Sequence, residues 1–552
     1  MTVPRGYIAL VLHAHLPFVR HPEAPSYMEE EWFFEAITET YVPLLLAFER
    51  LARDGIDFRL TISFSSSLLS MMTDDLLKER YARKIDNLIE LAEKEVDRTW
   101  RSDRACHELA KMYRHRFYEI RDCWRRYDGD LVRGYRALQE AGCLEIITCT
   151  ATHPFFPMLD RNWAAFRAQI HTAASVYERL FGRRSQGMWL GECGYVPGVD
   201  ELMREEGVRF FFVDTHGVLF ADPRPLYGAH APIYCRSGVA AFGRDIESSK
   251  QVWSAQEGYP GDPNYRDFYR DIGFDLPHDY LTPHIHPAGI RTFTGMKYHA
   301  VTHRASDNKR LYDPHQAYLR AAEHAGHFMF NRERQIDHLR SNMDRRPIVV
   351  APYDAELFGH WWYEGPTFLE LFFRKLQHDQ GVVAPITPSG YLREYPTNQV
   401  ATPSLSSWGE KGYGEYWCNG SNAWVYRHLH KMAERMVELA QRFPDAKGGV
   451  RRALDQAARE VMLAQASDWA FIMKAGTTVS YAAKQTHEHV MRFTRIYERL
   501  AGASAPNGVN GAAPSPGANG AATEAGIDPA WLDEVERRDN LFPEIDYRIY
   551  AT

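Results

Sequence analysis

The feature that most constrains this 552-residue chain is a set of short apolar runs, each of which stops at polar or ionisable residues. Residues 7–12 run into His13-Ala14-His15, 58–63 into Ser65-Ser66-Ser67, and 144–149 into Thr152-His153. Residues 187–190 lead to Glu192, 210–213 to Asp214-Thr215-His216, 348–351 to Asp354 and Glu356, and 382–386 to Thr387. Apolar runs of this length read as strands buried on both faces, as in a parallel sheet covered by helices. Helical-pattern segments lie between many of them. The expected fold is therefore α/β, an incompletely regular seven-stranded barrel with its reactive side chains gathered at the carboxyl ends of strands. A doubly wound sheet is the weaker reading, because no glycine-rich phosphate or dinucleotide fingerprint follows the first run.

Residues 1–400 are read as the catalytic unit, with two insertions. The first, 68–142, is charged and periodic and should be a helical excursion between strands; the second, 222–300, is rich in Pro, Gly, His and aromatics. Long irregular insertions in a compact domain are usually lids or binding loops, which makes Tyr234, Trp253 and Tyr259 candidates for lid or acceptor contacts, with plain packing of the loop as the alternative for each. From 401 the pattern shifts to a Gly- and Trp-rich stretch, 408–424, and then to amphipathic helices near 423–443, 450–474 and 478–501, a C-terminal helical domain. Residues 502–526 are low-complexity Gly/Ala/Pro/Asn sequence and read as a disordered linker. The tail, 527–552, carries Trp531, Leu541, Phe542, Tyr547 and Tyr550 and is expected to dock on the body.

Charge and cysteine usage narrow the class. A net charge of −7 without a concentrated Lys/Arg run argues against nucleic acid as a partner. The N-terminus reads as neither a signal peptide nor a spanning helix, so no membrane partner is expected. Seven scattered cysteines without a C-x-x-C pair suggest neither a disulfide framework nor a zinc ribbon and fit a reducing, cytoplasmic location. The chain is left as a monomer or small homo-oligomer.

Two carboxylates at converging strand ends are what glycosidic bond cleavage needs, one ionised and one carrying a proton. Glu192, in Trp189-Leu190-Gly191-Glu192-Cys193-Gly194-Tyr195, and Asp354, in Tyr353-Asp354-Ala355-Glu356, are the best placed. On position alone each could equally be an ion-pair or capping residue. If 353–356 is extended, Asp354 and Glu356 project to one side, and the second charge should raise the pKa of the first. The His13-Ala14-His15 pair supports a competing reading, since two imidazoles on one face with Asp214 or Asp354 suit zinc in a metal-dependent deacetylase or amidohydrolase.

Five stretches carry a resemblance that favours the carboxylate pair and leaves the metal-dependent deacetylase or amidohydrolase as the more distant alternative: His13-Ala14-His15-Leu16-Pro17, Ala151-Thr152-His153-Pro154, Trp189 to Glu192, Tyr353 to His360, and Gln465-Ala466-Ser467-Asp468-Trp469. Together the chain resembles glycoside hydrolase family 57. Within that family Trp32-Phe33-Phe34-Glu35-Ala36, Gly258-Tyr259-Pro260-Gly261-Asp262 and Trp408-Gly409-Glu410 with Trp417 look most like its 1,4-α-glucan branching enzymes. The resemblance implies an incomplete (β/α)7 barrel, a retaining mechanism, and no metal or cofactor. It puts the nucleophile on Glu192 and the acid/base on Asp354. It also implies substrate contacts at His13, His15, His153, Arg266, Gly295, Trp408, Trp417 and Asp468, with His216 read like His153. The expected partner is an α-glucan such as amylose, amylopectin or a glycogen-like polymer. An α-amylase or 4-α-glucanotransferase using the same pair on another acceptor, and a glucan-binding module with a decayed site, are the alternatives.

Overall fold

A computed structural model describes residues 3–254, 257–303, 308–502 and 526–551. The linker expected at 502–526 lies, apart from its end residues, outside the described residues. Nine strands form one sheet: β1 Gly6–Ala14, β2 Leu60–Phe64, β3 Leu144–Cys149, β4 Gly187–Trp189, β5 Phe210–Val213, β6 Ile233–Tyr234, β7 Ala240–Gly243, β8 Ile348–Asp354 and β9 Val383–Pro385. Their order is β6-β7-β5-β4-β3-β2-β1-β8, with β9 on β1, and every pairing except β6 with β7 is parallel.

Seven parallel strands, β1 to β5 with β7 and β8, run around the incomplete barrel. The two ends of the row approach each other through single bonds, with Asp245 N–H donating to Val350 O at 2.8 Å. The seventh place differs from the expected one. Residues 383–385 pair only with the start of β1, on the edge that β2 takes over from Val11, and β7 inside the second insertion completes the row.

Strand periodicity sorts the side chains. Along β1, Tyr7, Ala9 and Val11 enter an inner cluster with Ile147, Cys149, Trp189, Phe210, Phe212, Phe242, Ile348 and Val350, whereas Ile8, Leu10, Leu12 and Ala14 pack outward against helices. Continuing each inner row reaches His13 on β1, two residues past Val11, and Asp354 on β8, four residues past Val350, and the two sit opposite each other in register. The alternation that fills the barrel thus also delivers its polar residues to the carboxyl-end mouth.

Between β2 and β3 stand the helices Asp75–Ser102, His107–Arg126 and Leu131–Glu140. The helices Tyr426–Arg442, Gly448–Ala464, Ser467–Ala475 and Val479–Gly502 follow the barrel, and Ser467 N–H donates to His153 O at 3.0 Å, so the helical region closes one side of the mouth. The tail helix Pro529–Arg538 and the segment after it return to the body: Arg492 donates to Asp539 at 2.6 Å, Asn540 to Asp74 at 2.9 Å, and Leu541 and Phe542 are buried.

Candidate active site

The chain turns sharply at the end of β4. Glu192 has φ +60° and Cys193 φ +49°, and His153 at the neighbouring strand end has φ +59°. Left-handed backbone at three non-glycine residues around one mouth is costly and is typical of strained functional sites. Gly191 makes the approach possible, because a Cβ there would lie 2.5 Å from Pro154 O.

This turn presents the Glu192 carboxylate to two donors. Trp408 Nε1–H reaches Oε2 at 2.8 Å and Ser467 O–H reaches Oε1 at 2.8 Å. Burial raises its pKa to about 7, while those two bonds and the His15 charge pull it back down. The direction of the remaining bonds follows from Ser467. Its proton is spent on Glu192, so its oxygen accepts from His153 Nδ1 (2.8 Å); a neutral His153 then accepts at Nε2 from His13 Nε2 (2.9 Å), leaving His13 Nδ1 to accept from Ser63 (3.3 Å). Burial, reinforced by neighbouring imidazoles, holds both rings well below the usual histidine pKa, so the neutral states this chain requires are the favoured ones. His15 differs: burial opposes its charge, but Asp468 at 3.0 Å raises its pKa.

Asp354 ends β8 across from His13. Its pKa is pushed well above the carboxylate range, first by burial, then by the charges of Glu356 and Glu192, with Arg244 opposing. Glu356 accepts from Tyr41 O–H at 2.5 Å and from His15 N–H at 3.2 Å and is itself raised to about 7, chiefly by burial. A π-helical turn, Ile37–Tyr41, puts Tyr41 in position and at the same time sets Glu39 behind it. Gly359 is what lets the Asp354 loop fit there, since a Cβ would stand 1.9 Å from Glu39 O.

Of the residues expected to contact substrate, Trp408, His153 and His13 join Glu192 in one hydrogen-bonded network, His15 and Asp468 pair beside it, and Asp354 stands in register with His13. Arg266 and Gly295 do not join this network. Buried Arg266 bonds Glu39 at 3.1 Å and Gly295 O at 3.4 Å, one layer behind Glu356. Three expectations are corrected. Trp417 is buried, stacked on Phe155 at 5.0 Å beneath the Trp408 turn, and offers no free face to a sugar. Tyr234 pairs with Ala240, the first residue of β7, which puts it at the amino end of the barrel, away from the mouth. Tyr259 is buried, stacked on His324 at 4.4 Å and bonded to His327, and so packs the insertion internally. Trp253 ends the helix Ile246–Trp253 and is 38% exposed. His216 bonds Gly412 O at 2.7 Å and so braces the Trp-rich segment.

Sequence reasoning missed Ser467 as a donor to Glu192, although its stretch was recognised, and it missed Tyr41 and Arg244 altogether. Arg244 follows β7, carries bonds to Ser249 at 2.7 Å and Asp214 at 3.4 Å, and lies 5.7 Å from the Trp408 ring. Two sets of potential metal ligands meet at the mouth, His13 with Cys149 and His153, and His15 with His153 and Asp468. Two imidazole nitrogens about 2.0–2.1 Å from a tetrahedral ion stand roughly 3.3 Å apart. The 2.9 Å between His13 and His153 is a hydrogen-bond distance instead, so the first set does not fit an ion without moving.

Comparison with known proteins identifies the family. The profile of glycosyl hydrolase family 57 matches residues 9–335, and that of the 1,4-alpha-glucan branching enzyme C-terminal region matches 428–550. The 1,4-alpha-glucan branching enzyme TK1436 of Thermococcus kodakarensis is 33% identical, over 98% of this chain and 77% of its own length. Among solved structures, the alpha-amylase AmyC of Thermotoga maritima superposes with a TM-score of 0.90 at 43% identity, covering 100% of this chain and 99% of its own. The GH57-type branching enzyme of Pyrococcus horikoshii superposes with a TM-score of 0.85 at 31% identity, covering 99% and 97%. By fold and sequence alike, the chain belongs to glycoside hydrolase family 57.

Proposed function

We propose that this protein is a retaining 1,4-α-glucan branching enzyme. Glu192 attacks the anomeric carbon of an α-1,4-linked chain while Asp354 protonates the departing oxygen; Asp354 then takes a proton from the 6-hydroxyl of another chain, which displaces Glu192 and forms an α-1,6 branch. The observation that carries this reading is the opposed environments of the two carboxyls. Glu192 receives two hydrogen bonds that favour its charge, and Asp354 faces two negative neighbours that favour its proton. The match of the C-terminal region to branching-enzyme sequences supports branching over hydrolysis.

Transfer requires a sugar hydroxyl to outcompete water, and a well-oriented hydroxyl reaches effective molarities of about 10⁵ M or more. The product would be a glycogen-like polymer made in the cytoplasm; among the described residues no helix is long and apolar enough to cross a membrane. Incubation with amylose, followed by isoamylase debranching and chain-length analysis, tests the reading. Branching yields short chains released only by debranching, whereas an amylase yields reducing ends and a 4-α-glucanotransferase yields redistributed linear chains.

A further inference from the structure

Five aromatic rings form one connected surface beside the Asp354 loop. Trp361 stacks on Phe268 with centroids 4.3 Å apart and planes at 24°. Phe268 meets Tyr269 at 5.1 Å and Phe293 at 5.7 Å, and Phe293 meets Phe274 at 5.2 Å. Trp361, Tyr269 and Phe274 are 52%, 74% and 48% exposed. Contiguous exposed rings mark a place where something binds.

The underside of this surface is fixed. The buried Lys297 ammonium lies 4.2 Å from the Phe268 centroid and 4.5 Å from that of Phe293, within the charge cluster of Glu39 and Arg266. His360 contacts both Trp361 and Phe268 by ring edge and is held by Glu39 at 2.7 Å. The rings are therefore preorganised, and little conformational entropy is lost when a ligand covers them.

The surface also joins the catalytic centre. Trp361 N–H donates to Glu356 O at 3.2 Å, and the Glu356 carboxylate bonds His15 N and Tyr41. That bond keeps the Trp361 main chain within about three residue lengths, roughly 10 Å, of Asp354. A short maltooligosaccharide seated on the carboxylates spans that distance.

We propose that Trp361 and Phe268 begin an α-glucan subsite that leads the chain from the carboxylates out toward Tyr269 and Phe274, and that this subsite discriminates long chains from short ones. Pyranose rings present apolar C–H faces that stack on aromatic planes, and rings set at different tilts follow a curving α-1,4 chain. The proposal rests on the reading of the protein as an α-glucan enzyme.

Binding tests it without turnover. In full-length protein carrying Glu192→Gln, affinity electrophoresis in amylose and calorimetry with maltoheptaose and maltose are compared with and without Trp361→Ala. The expected result is at least tenfold weaker binding of amylose and maltoheptaose, unchanged binding of maltose, partial recovery in Trp361→Phe, and a smaller loss in Tyr269→Ala, a residue too exposed to affect folding. Unchanged amylose affinity in Trp361→Ala, or a shift in oligomeric state by light scattering instead of a binding loss, would overturn the subsite and leave the α-glucan reading standing. No glucan binding by the Glu192→Gln protein at all would overturn both.

Discussion

The indole of Trp408 donates its only hydrogen bond to Oε2 of Glu192 at 2.8 Å, although the two residues are 216 positions apart. The Trp-rich segment thus sets the charge state of the nucleophile as well as walling the mouth. Trp408→Phe keeps a ring and removes the donor, leaving a buried carboxylate one bond short at a cost of about 1.5–3 kcal/mol to its ionised form. The acidic limb of the kcat/KM profile should move to higher pH, and the rate at pH 6 should fall by roughly 10–100-fold. An unmoved limb would assign Trp408 to sugar contact alone.

Glu356 shares its face of the mouth with Asp354 and raises the pKa of that acid. Asp354 donates a proton, so activity is lost as pH rises through its pKa. Replacing Glu356 by Gln removes a charge that is itself present only above about pH 7, and the basic limb should therefore move to lower pH. Titration of kcat/KM in the variant checks the direction.

Behind Glu356, Arg266 and Glu39 make a buried ion pair at 3.1 Å. Burial opposes the Glu39 charge, but Arg266, Lys297 and His360 outweigh it and bring its pKa to about 2. A lowered carboxylate pKa contributes stability that is present above the unfolded value of about 4.3 and is lost as pH falls through about 2. Arg266→Met should destabilise the fold by about 3–5 kcal/mol at neutral pH, because Glu39 loses its main partner. The loss should shrink below about pH 4 in denaturant titrations as Glu39 becomes protonated.

The tail contributes to stability through Phe542, which is fully buried. Phe542→Ala should cost about 3–5 kcal/mol. If the tail docks as a unit, limited proteolysis of this variant should release it before the barrel is cut.

The barrel was legible because its strands are apolar on both faces and stop at polar residues, and period two carries each inner row to the mouth. The failures have local causes. β7 reads Ala240-Ala241-Phe242-Gly243, four residues in Gly- and Pro-rich surroundings, too short to stand out from the loop, and with it went Arg244. Trp417, Tyr259 and Tyr234 are aromatics in irregular sequence, a setting that suggests sugar contact, yet two of them are packing residues and the third faces the wrong end of the barrel, a distinction that depends on tertiary register. Tyr41 reaches Glu356 only through a π-helical turn that no residue pattern announces. Trp361, by contrast, lay in plain view one residue beyond the recognised Tyr353 to His360 stretch.

Azide rescue tests the central claim most directly, because it reports which face of the sugar each carboxylate occupies. With an activated α-glucosyl donor, Glu192→Ala should turn over only in azide and release the β-glucosyl azide, while Asp354→Ala should form the glycosyl-enzyme and release the α-glucosyl azide. The opposite assignment of anomers, or full activity of Glu192→Ala without azide, would contradict the account.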